Sequence, residues 1–258
     1  MPENLLSCRP QSFGKAGHRA YEEMQRIGIK YVEASIAHPS KMIEEKEKYE
    51  AFGLQAATIS GKINIQSQSC GQEFEPWALA CQVAGAKHMF VSVHAGELDR
   101  RLVYTRLYEC GEIARQYGVT ICMETHPDLI TNMDVAIETM KGVDHPNVRV
   151  NFDTANIYYY NEGIDGHEEL KKILNYVGAM HLKETNGAFK TWYFPTFGDE
   201  QGVVNWTDTF ELLNKEIEFF GPFTMEIEGC KDEQFEEDDH IKRVEDSVNH
   251  LRSLGLVS

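Results

Sequence analysis

The sequence lacks the features that mark secreted and membrane-spanning proteins. Its six cysteines form no CxxC pair and no closely spaced group, which is typical of reduced thiols rather than of a disulfide framework. The sequence contains no apolar run long enough to span a membrane. The N-terminus also lacks the charged-then-apolar pattern of a signal peptide. We therefore expect a cytoplasmic protein that makes no membrane contact.

Basic residues are scarce relative to acidic ones. The chain has 25 Lys and Arg against 41 Asp and Glu, a formal net charge of -16. A surface of this sign repels phosphate backbones, so we expect no nucleic-acid partner. Part of the acidity lies in Glu233–Asp239, and such a charge run is typical of a solvated loop or helix face.

A glycine-rich phosphate loop is also missing. The segment after the first predicted strand, Arg9–Gly14, is not the dinucleotide fingerprint that an open doubly wound sheet often carries at this position. Since no other phosphate loop is evident, the sequence does not indicate a phosphorylated substrate.

The chain does contain eight strand-like segments, most of them followed by a helical stretch. The predicted strands are Asn4–Cys8, Lys30–Ser35, Leu54–Ser60, His88–His94, Val119–Glu124, Val148–Asp153, Gly178–Leu182 and Phe223–Glu228. The predicted helices are Gly17–Ile27, Pro39–Phe52, Glu75–Gly85, Asp99–Tyr117, Asn132–Lys141, Gly166–Tyr176, Trp206–Phe220 and Asp239–Leu254. This alternation predicts one (β/α)8 TIM barrel domain over residues 1–258, with parallel strands and the active site at their C-terminal ends. The one long connection, Lys183–Asn205, is typical of a lid or binding loop.

Polar side chains recur at the ends of the last four predicted strands. In each of these strands polar and apolar residues alternate, so the polar set is expected to point into the barrel mouth. The metal-competent members of this set are Glu124, Asp153, His181 and Glu226. Buried carboxylates are costly unless they are paired or bound to a metal. Three carboxylates and one imidazole predict a site for Mn²⁺ or Mg²⁺, and Zn²⁺, Co²⁺ and Fe²⁺ are also compatible.

Each of these residues has an ordinary structural interpretation when it is taken alone. An inward histidine is commonly a hydrogen-bonded core residue, and a carboxylate at a strand end is commonly a salt-bridge partner or a helix cap. Asp153, which directly precedes Thr154, fits such a cap. The coincidence over four successive strands favours a shared site.

Further polar residues are expected around the same mouth as substrate-binding groups. They are Glu33, His94, His126, Asn156, Lys183 and Glu228. For Glu33 a buried salt bridge with Arg9 or Lys183 is an equally good interpretation. Glu226 and Glu228 face the same way in the predicted last strand, so alternation alone does not decide which of them binds the metal.

Four segments resemble the motifs of the xylose isomerase-like TIM barrels. They are Met123–His126, Asn151–Asn156, Met180–Glu184 and Gly221–Glu226. This superfamily contains sugar-phosphate isomerases and epimerases, hydroxypyruvate isomerase, inosose dehydratase and endonuclease IV, and the resemblance covers nearly the whole chain. It implies one divalent metal, usually Mn²⁺, held by the four metal-competent residues named above, and it selects Glu226 rather than Glu228.

The resemblance also implies an activity. We expect a metal-dependent isomerase or epimerase of a sugar or sugar derivative, with Glu124 and Glu226 as acid and base. A proton next to a carbonyl is abstracted to give a metal-stabilised enediolate, and a proton is then returned. By analogy with the family the protein is expected to be a homodimer or homotetramer.

The alternatives are a dehydratase of the inosose dehydratase type, an endonuclease IV-like enzyme and a non-enzymatic binding protein. The acidity of the chain argues against the endonuclease. Ketose 3-epimerases of this superfamily typically carry a histidine and an arginine where this sequence has Asn156 and Gly187. That departure argues against a free-ketose 3-epimerase.

Overall fold

The structure, a computed structural model, describes residues 2–231 and 233–258, so Met1 and Asp232 of the predicted domain lie outside it. The strands are β1 (Leu6–Cys8), β2 (Tyr31–Ser35), β3 (Gln55–Ser60), β4 (His88–Val91), β5 (Thr120–Glu124), β6 (Val148–Asp153), β7 (Val177–Leu182), β8 (Tyr193–Phe194), β9 (Phe223–Met225) and β10 (Gly229–Cys230). Eight parallel strands, β1 to β7 and β9, close into a barrel, and β8 pairs antiparallel with β10 in a separate small sheet. The predicted (β/α)8 barrel is confirmed.

Helices surround the barrel. They are α1 (Ala20–Ile27), α2 (Pro39–Glu50), α3 (Cys70–Ala84), α4 (Arg100–Gln116), α5 (Met133–Val143), α6 (Asn156–Tyr159), α7 (Gly166–Ile173), α8 (Trp206–Glu216) and α9 (Glu237–Ser253), with 3₁₀ segments at Pro10–Arg19 and Leu174–Tyr176. Gly28 and Gly85 end α1 and α3 in the left-handed conformation that glycine adopts at little cost. Within the described ranges, none of these helices has the length and apolarity needed to cross a membrane.

Alternation along the strands separates an apolar exterior from a polar barrel interior. In β5, Ile121 and Met123 are buried in the apolar core that joins the barrel to its helices. The interior contains polar pairs such as Ser7 and Thr224, whose fully buried hydroxyl oxygens lie 2.7 Å apart. A barrel lined in this way can hold charged groups, because they find partners rather than apolar neighbours.

Two predicted strands are too long. β4 ends at Val91 rather than His94, and β9 ends at Met225 rather than Glu228. The ladders that flank β9 reach only Cys8 in β1 and Leu182 in β7, so no neighbouring strand remains for Glu226 to Glu228 to pair with. These residues therefore lie on the connecting segment just beyond the barrel.

Other differences concern the helices and the long connection. The predicted helix at Glu75 begins at Cys70 instead and accommodates Pro76 within it. Helix α6 and the small sheet of β8 and β10 were not predicted. The sheet joins the 183–205 connection to the segment after β9, so this connection is anchored at its middle.

Candidate metal centre

Four side chains converge at the C-terminal end of the barrel. Glu124, Asp153, His181 and Glu226 each offer one ligand atom, and all four atoms lie within 4.8 Å of one another. Asp153 and His181 are register partners on β6 and β7. The amide of Glu226 donates to the carbonyl of Leu182 at 2.9 Å, which holds that glutamate beside the end of β7 although it lies past its own strand.

The imidazole of His181 lies at the centre of the group. Its Nδ1 is 3.0 Å from Glu226 Oε2, 3.7 Å from Glu124 Oε1 and 4.0 Å from Asp153 Oδ2. Its Nε2 is 3.1 Å from Glu33 Oε2. Burial opposes the charged ring, but Glu33 and Glu226 outweigh it and place the pKa of His181 well above its usual value. In the metal-free protein both ring nitrogens therefore act as donors.

Asp153 directs one carboxylate oxygen at the cluster. Its Oδ1 accepts the backbone N–H groups of Ala155 and Asn156, both at 2.8 Å. Its Oδ2 is buried and accepts no hydrogen bond from any residue that the structure describes. Burial raises the pKa of this carboxyl to about 6. One oxygen thus forms the helix cap considered from the sequence, and the other fits a cation ligand.

Besides the His181 ring, two cationic side chains contact the carboxylates. The Nζ of the buried Lys183 lies 2.9 Å from Glu228 Oε2, 3.0 Å from Glu226 Oε2 and 3.3 Å from Asp153 Oδ2. The guanidinium of Arg9 bonds to Glu226 Oε1. Burial opposes ionisation of Glu226, but Lys183 and His181 hold the pKa of its carboxyl well below the usual value. From the sequence, Arg9 was expected only as a possible partner of Glu33. Its position directly after the first strand was the signal that it belongs to the barrel mouth.

A cavity of about 260 Å³ opens above the cluster. It is lined by Arg9, Phe90, Glu124, His126, Asn156, Tyr159, Tyr160, Lys183, Trp192, Phe194, Glu226 and Glu228. Four of the six predicted substrate-binding residues are in this wall. Glu33 instead lies beneath His181, and the exposed His94 contacts the ring of His126 at a centroid distance of 4.7 Å. The wall's aromatic residues Phe90, Tyr159 and Tyr160 were missed, because the sequence around them carries no motif.

The donor set fits a divalent cation. Three carboxylates and one imidazole, with the buried Oδ2 of Asp153 among them, make an oxygen-rich site of the kind that hard divalent ions prefer. Glu124 and Glu226 also line the cavity, so a cation held by these four residues would lie next to it.

Known proteins share this fold. Residues 21–254 match the model of the xylose isomerase-like TIM barrel family. The chain belongs to this family. A sugar phosphate isomerase/epimerase from Parabacteroides distasonis has the same fold, with a TM-score of 0.76 at 16% identity, covering 100% of this chain and 96% of that one. A D-allulose 3-epimerase from Methylomonas sp., solved in complex with D-allulose, superposes with a TM-score of 0.74 at 16% identity over 98% of both chains.

A curated relative adds a second reaction class. A 3-dehydroshikimate dehydratase from Bacillus anthracis is 23% identical over 156 residues, which cover 53% of this chain and 55% of that protein. The matched region thus spans about half the length of the relative. Family membership and these neighbours support an enzymatic function, and the named relatives divide between epimerases or isomerases and a dehydratase.

Proposed function

We propose that this protein is a divalent-metal-dependent isomerase or epimerase of a sugar or sugar derivative, with Mn²⁺ as its ion. The observation that carries the proposal is that Glu124 and Glu226, two members of the metal-competent cluster, both border the same cavity. At about 260 Å³ this cavity is slightly smaller than the roughly 300–1,000 Å³ typical of small-molecule sites, which suits a substrate the size of one sugar. The sugar-acting neighbours add support.

Glu226 is suited to the role of base. Lys183 and His181 hold the pKa of its carboxyl low despite its burial, so the group is present as the carboxylate, the form that a base requires. The bound divalent ion supplies Lewis-acid polarisation of that carbonyl. The guanidinium of Arg9 fixes one oxygen of Glu226, which leaves the other directed at the cluster.

Glu124 is suited to return the proton. Asn156 Nδ2 donates to its Oε1 at 3.3 Å, and the carboxylate reaches the cluster from β5 rather than from the segment after β9. Lys183 Nζ and Asn156 Oδ1, which lie 3.3 Å apart in the same wall, are placed to bind substrate oxygens. Aromatic residues of the same wall, among them Phe90, Tyr159 and Tyr160, surround these groups.

A dehydratase is the second candidate, and the B. anthracis relative is the observation that favours it. The same two carboxylates serve that reaction. One removes the proton next to the carbonyl, and the other protonates a departing hydroxyl on the adjacent carbon, so that water is lost.

The test is a substrate screen in deuterated water with Mn²⁺, read by NMR. The panel contains free ketoses, their phosphates, keto-inositols and hydroxylated keto acids. Deuterium uptake at carbon without loss of water supports the isomerase or epimerase, whereas an unsaturated product supports the dehydratase. If no panel member exchanges or reacts, the proposed function is not supported.

A variant then tests the assigned base. Glu226→Gln should lower turnover of the identified substrate by about 10²–10⁴-fold while the circular dichroism spectrum is unchanged. Glu23→Gln is the matched control, because Glu23 is also a buried glutamate but pairs with Arg19 and Arg26 on α1, away from the cavity. Wild-type turnover in Glu226→Gln contradicts the assignment.

A further inference from the structure

Glu33 meets the His181 ring at Nε2, whereas the other carboxylates near this ring face Nδ1. It lies on β2, is 1% exposed, and meets His181 from beneath, where its Oε2 is 3.1 Å from Nε2. Thr58, its register partner on β3, donates a hydrogen bond to the same oxygen at 2.8 Å. The β2–β3 ladder shifts register between Val32 and Glu33, an irregularity that re-aims the side chain that follows.

We propose that Glu33 is a positioning residue that sets the tautomer and orientation of His181, so that Nδ1 is the metal-binding nitrogen. An imidazole whose Nε2–H is donated to a carboxylate has its lone pair on Nδ1 once a single proton remains. That nitrogen faces the three carboxylate ligands. The ring of Phe90 packs against the imidazole at a centroid distance of 4.4 Å and restrains its rotation.

This role accounts for the burial of Glu33 better than substrate binding does. The carboxylate lies on the far side of the His181 ring from the other ligands, so the ring stands between it and the cluster. Its second oxygen, Oε1, accepts no hydrogen bond within the described part of the chain. The salt-bridge alternative is weak in this geometry, because Arg9 Nε is 4.0 Å from Oε1 while Arg9 bonds to Glu226.

The effect on metal binding has a definite sign. A carboxylate behind a ligating histidine raises the basicity of the ring and pre-orients it, and loss of such a partner typically weakens metal binding by about 10–100-fold. The inference depends on the proposed metal centre but not on which reaction is catalysed. Thr58→Val, which removes one hydrogen bond to Glu33 and keeps the carboxylate, should cause a smaller loss.

The experiment measures Mn²⁺ affinity by competition with a chelator for the wild-type protein, Glu33→Gln, Glu33→Ala and the control Glu23→Gln. Both Glu33 variants should lose about 10–100-fold in affinity, and Glu23→Gln should match the wild type. A purely structural role for Glu33 would lower the melting temperature without this selective loss. Wild-type affinity in both Glu33 variants overturns the inference.

A second readout needs no variant. In the diamagnetic Zn²⁺-loaded wild-type protein, ¹⁵N NMR of the histidine side chains should show Nε2 of His181 protonated and Nδ1 bound to the ion. Coordination through Nε2 overturns the inference even if the affinities change. If the wild-type protein binds neither ion, the metal centre itself is refuted, and this inference with it. If the wild-type protein binds Mn²⁺ and the Glu33 variants bind it with unaltered affinity, only the role of Glu33 is refuted.

Discussion

Replacing Lys183 with methionine should destabilise the metal-free protein far more than the metal-loaded one. The Lys183 ammonium is buried and lies 2.9–3.3 Å from oxygens of Glu228, Glu226 and Asp153. Methionine fills a similar volume but carries no charge, so the variant leaves the buried carboxylates of Asp153 and Glu226 without the ammonium that contacts both.

The magnitude follows from the distances. At an effective dielectric constant of about 20, each contact near 3 Å is worth about 5 kcal/mol of gross attraction. Desolvation of the ions offsets much of this, and breaking a buried pair by removing one partner typically costs about 3–5 kcal/mol net. For a chain of this size that corresponds to a fall in melting temperature of roughly 6–20 °C.

A divalent ion bound to Glu226 and Asp153 neutralises the same carboxylates. The difference between Lys183→Met and wild type should therefore shrink when Mn²⁺ is saturating. Because the variant also removes an ammonium that competes with the ion for these oxygens, it should bind Mn²⁺ more tightly than the wild type does.

The assay is thermal unfolding with and without Mn²⁺ after chelator treatment, together with a Mn²⁺ titration. Lys242→Met is the control, since Lys242 is 71% exposed and pairs with Asp246 on the surface of α9, where an ion pair contributes about 0–1 kcal/mol. Equal losses in the two variants, or a loss in Lys183→Met that Mn²⁺ leaves unchanged, would refute the reasoning.

Three further predictions concern two effects of pH and the long connection. Metal binding should strengthen as pH rises through about 6, where Asp153 ionises, and should continue to strengthen above the usual range of histidine, because ligation also needs the Nδ1 of His181 deprotonated and the pKa of that ring is raised. Calorimetry in buffers of different ionisation enthalpy should detect released protons, and a pH-independent affinity would contradict this. In the metal-free protein the sign reverses for Asp153, whose pKa is raised from 3.8 to about 6: its favourable contribution is complete below 3.8 and is lost as pH rises through 6, as denaturant titrations across that window should show. Glu184→Gln should loosen the 183–205 connection, because the buried Glu184 carboxylate accepts hydrogen bonds from the N–H groups of Gly198, Val204 and the Trp206 indole at 3.0–3.3 Å. We expect about 1–3 kcal/mol of local destabilisation and faster hydrogen exchange in this connection. An unaltered exchange pattern would contradict the prediction.

The barrel and the convergence of its four metal-competent side chains could be predicted because both depend on local alternation. A strand of period two fixes which side chains face the axis, and parallel strands bring their C-terminal ends to one rim. Glu124, Asp153 and His181 needed no more than this. The ends of strands were harder to predict, since the end of β9 depends on where its neighbours β1 and β7 end.

The roles of individual polar residues could not be predicted from alternation. Glu33 does face inward, but which atom it meets depends on the register shift beside it and on the ring of His181 above it. Arg9 reaches Glu226 through a long side chain from the opposite end of the sequence. Such contacts depend on the three-dimensional positions of the side chains, which the spacing of residues along the sequence does not give.

The small sheet of β8 and β10 has a consequence for engineering. Phe194 pairs with Gly229 and Tyr193 with Cys230, and the amide of Lys231 donates to the carbonyl of Trp192 at 2.9 Å. Two wall residues, Trp192 and Glu228, are therefore neighbours of one ladder although they come from different connections. A chimaera that imports only one of these segments from a homologue breaks the ladder, so the unit of exchange for altering specificity is the pair of segments together.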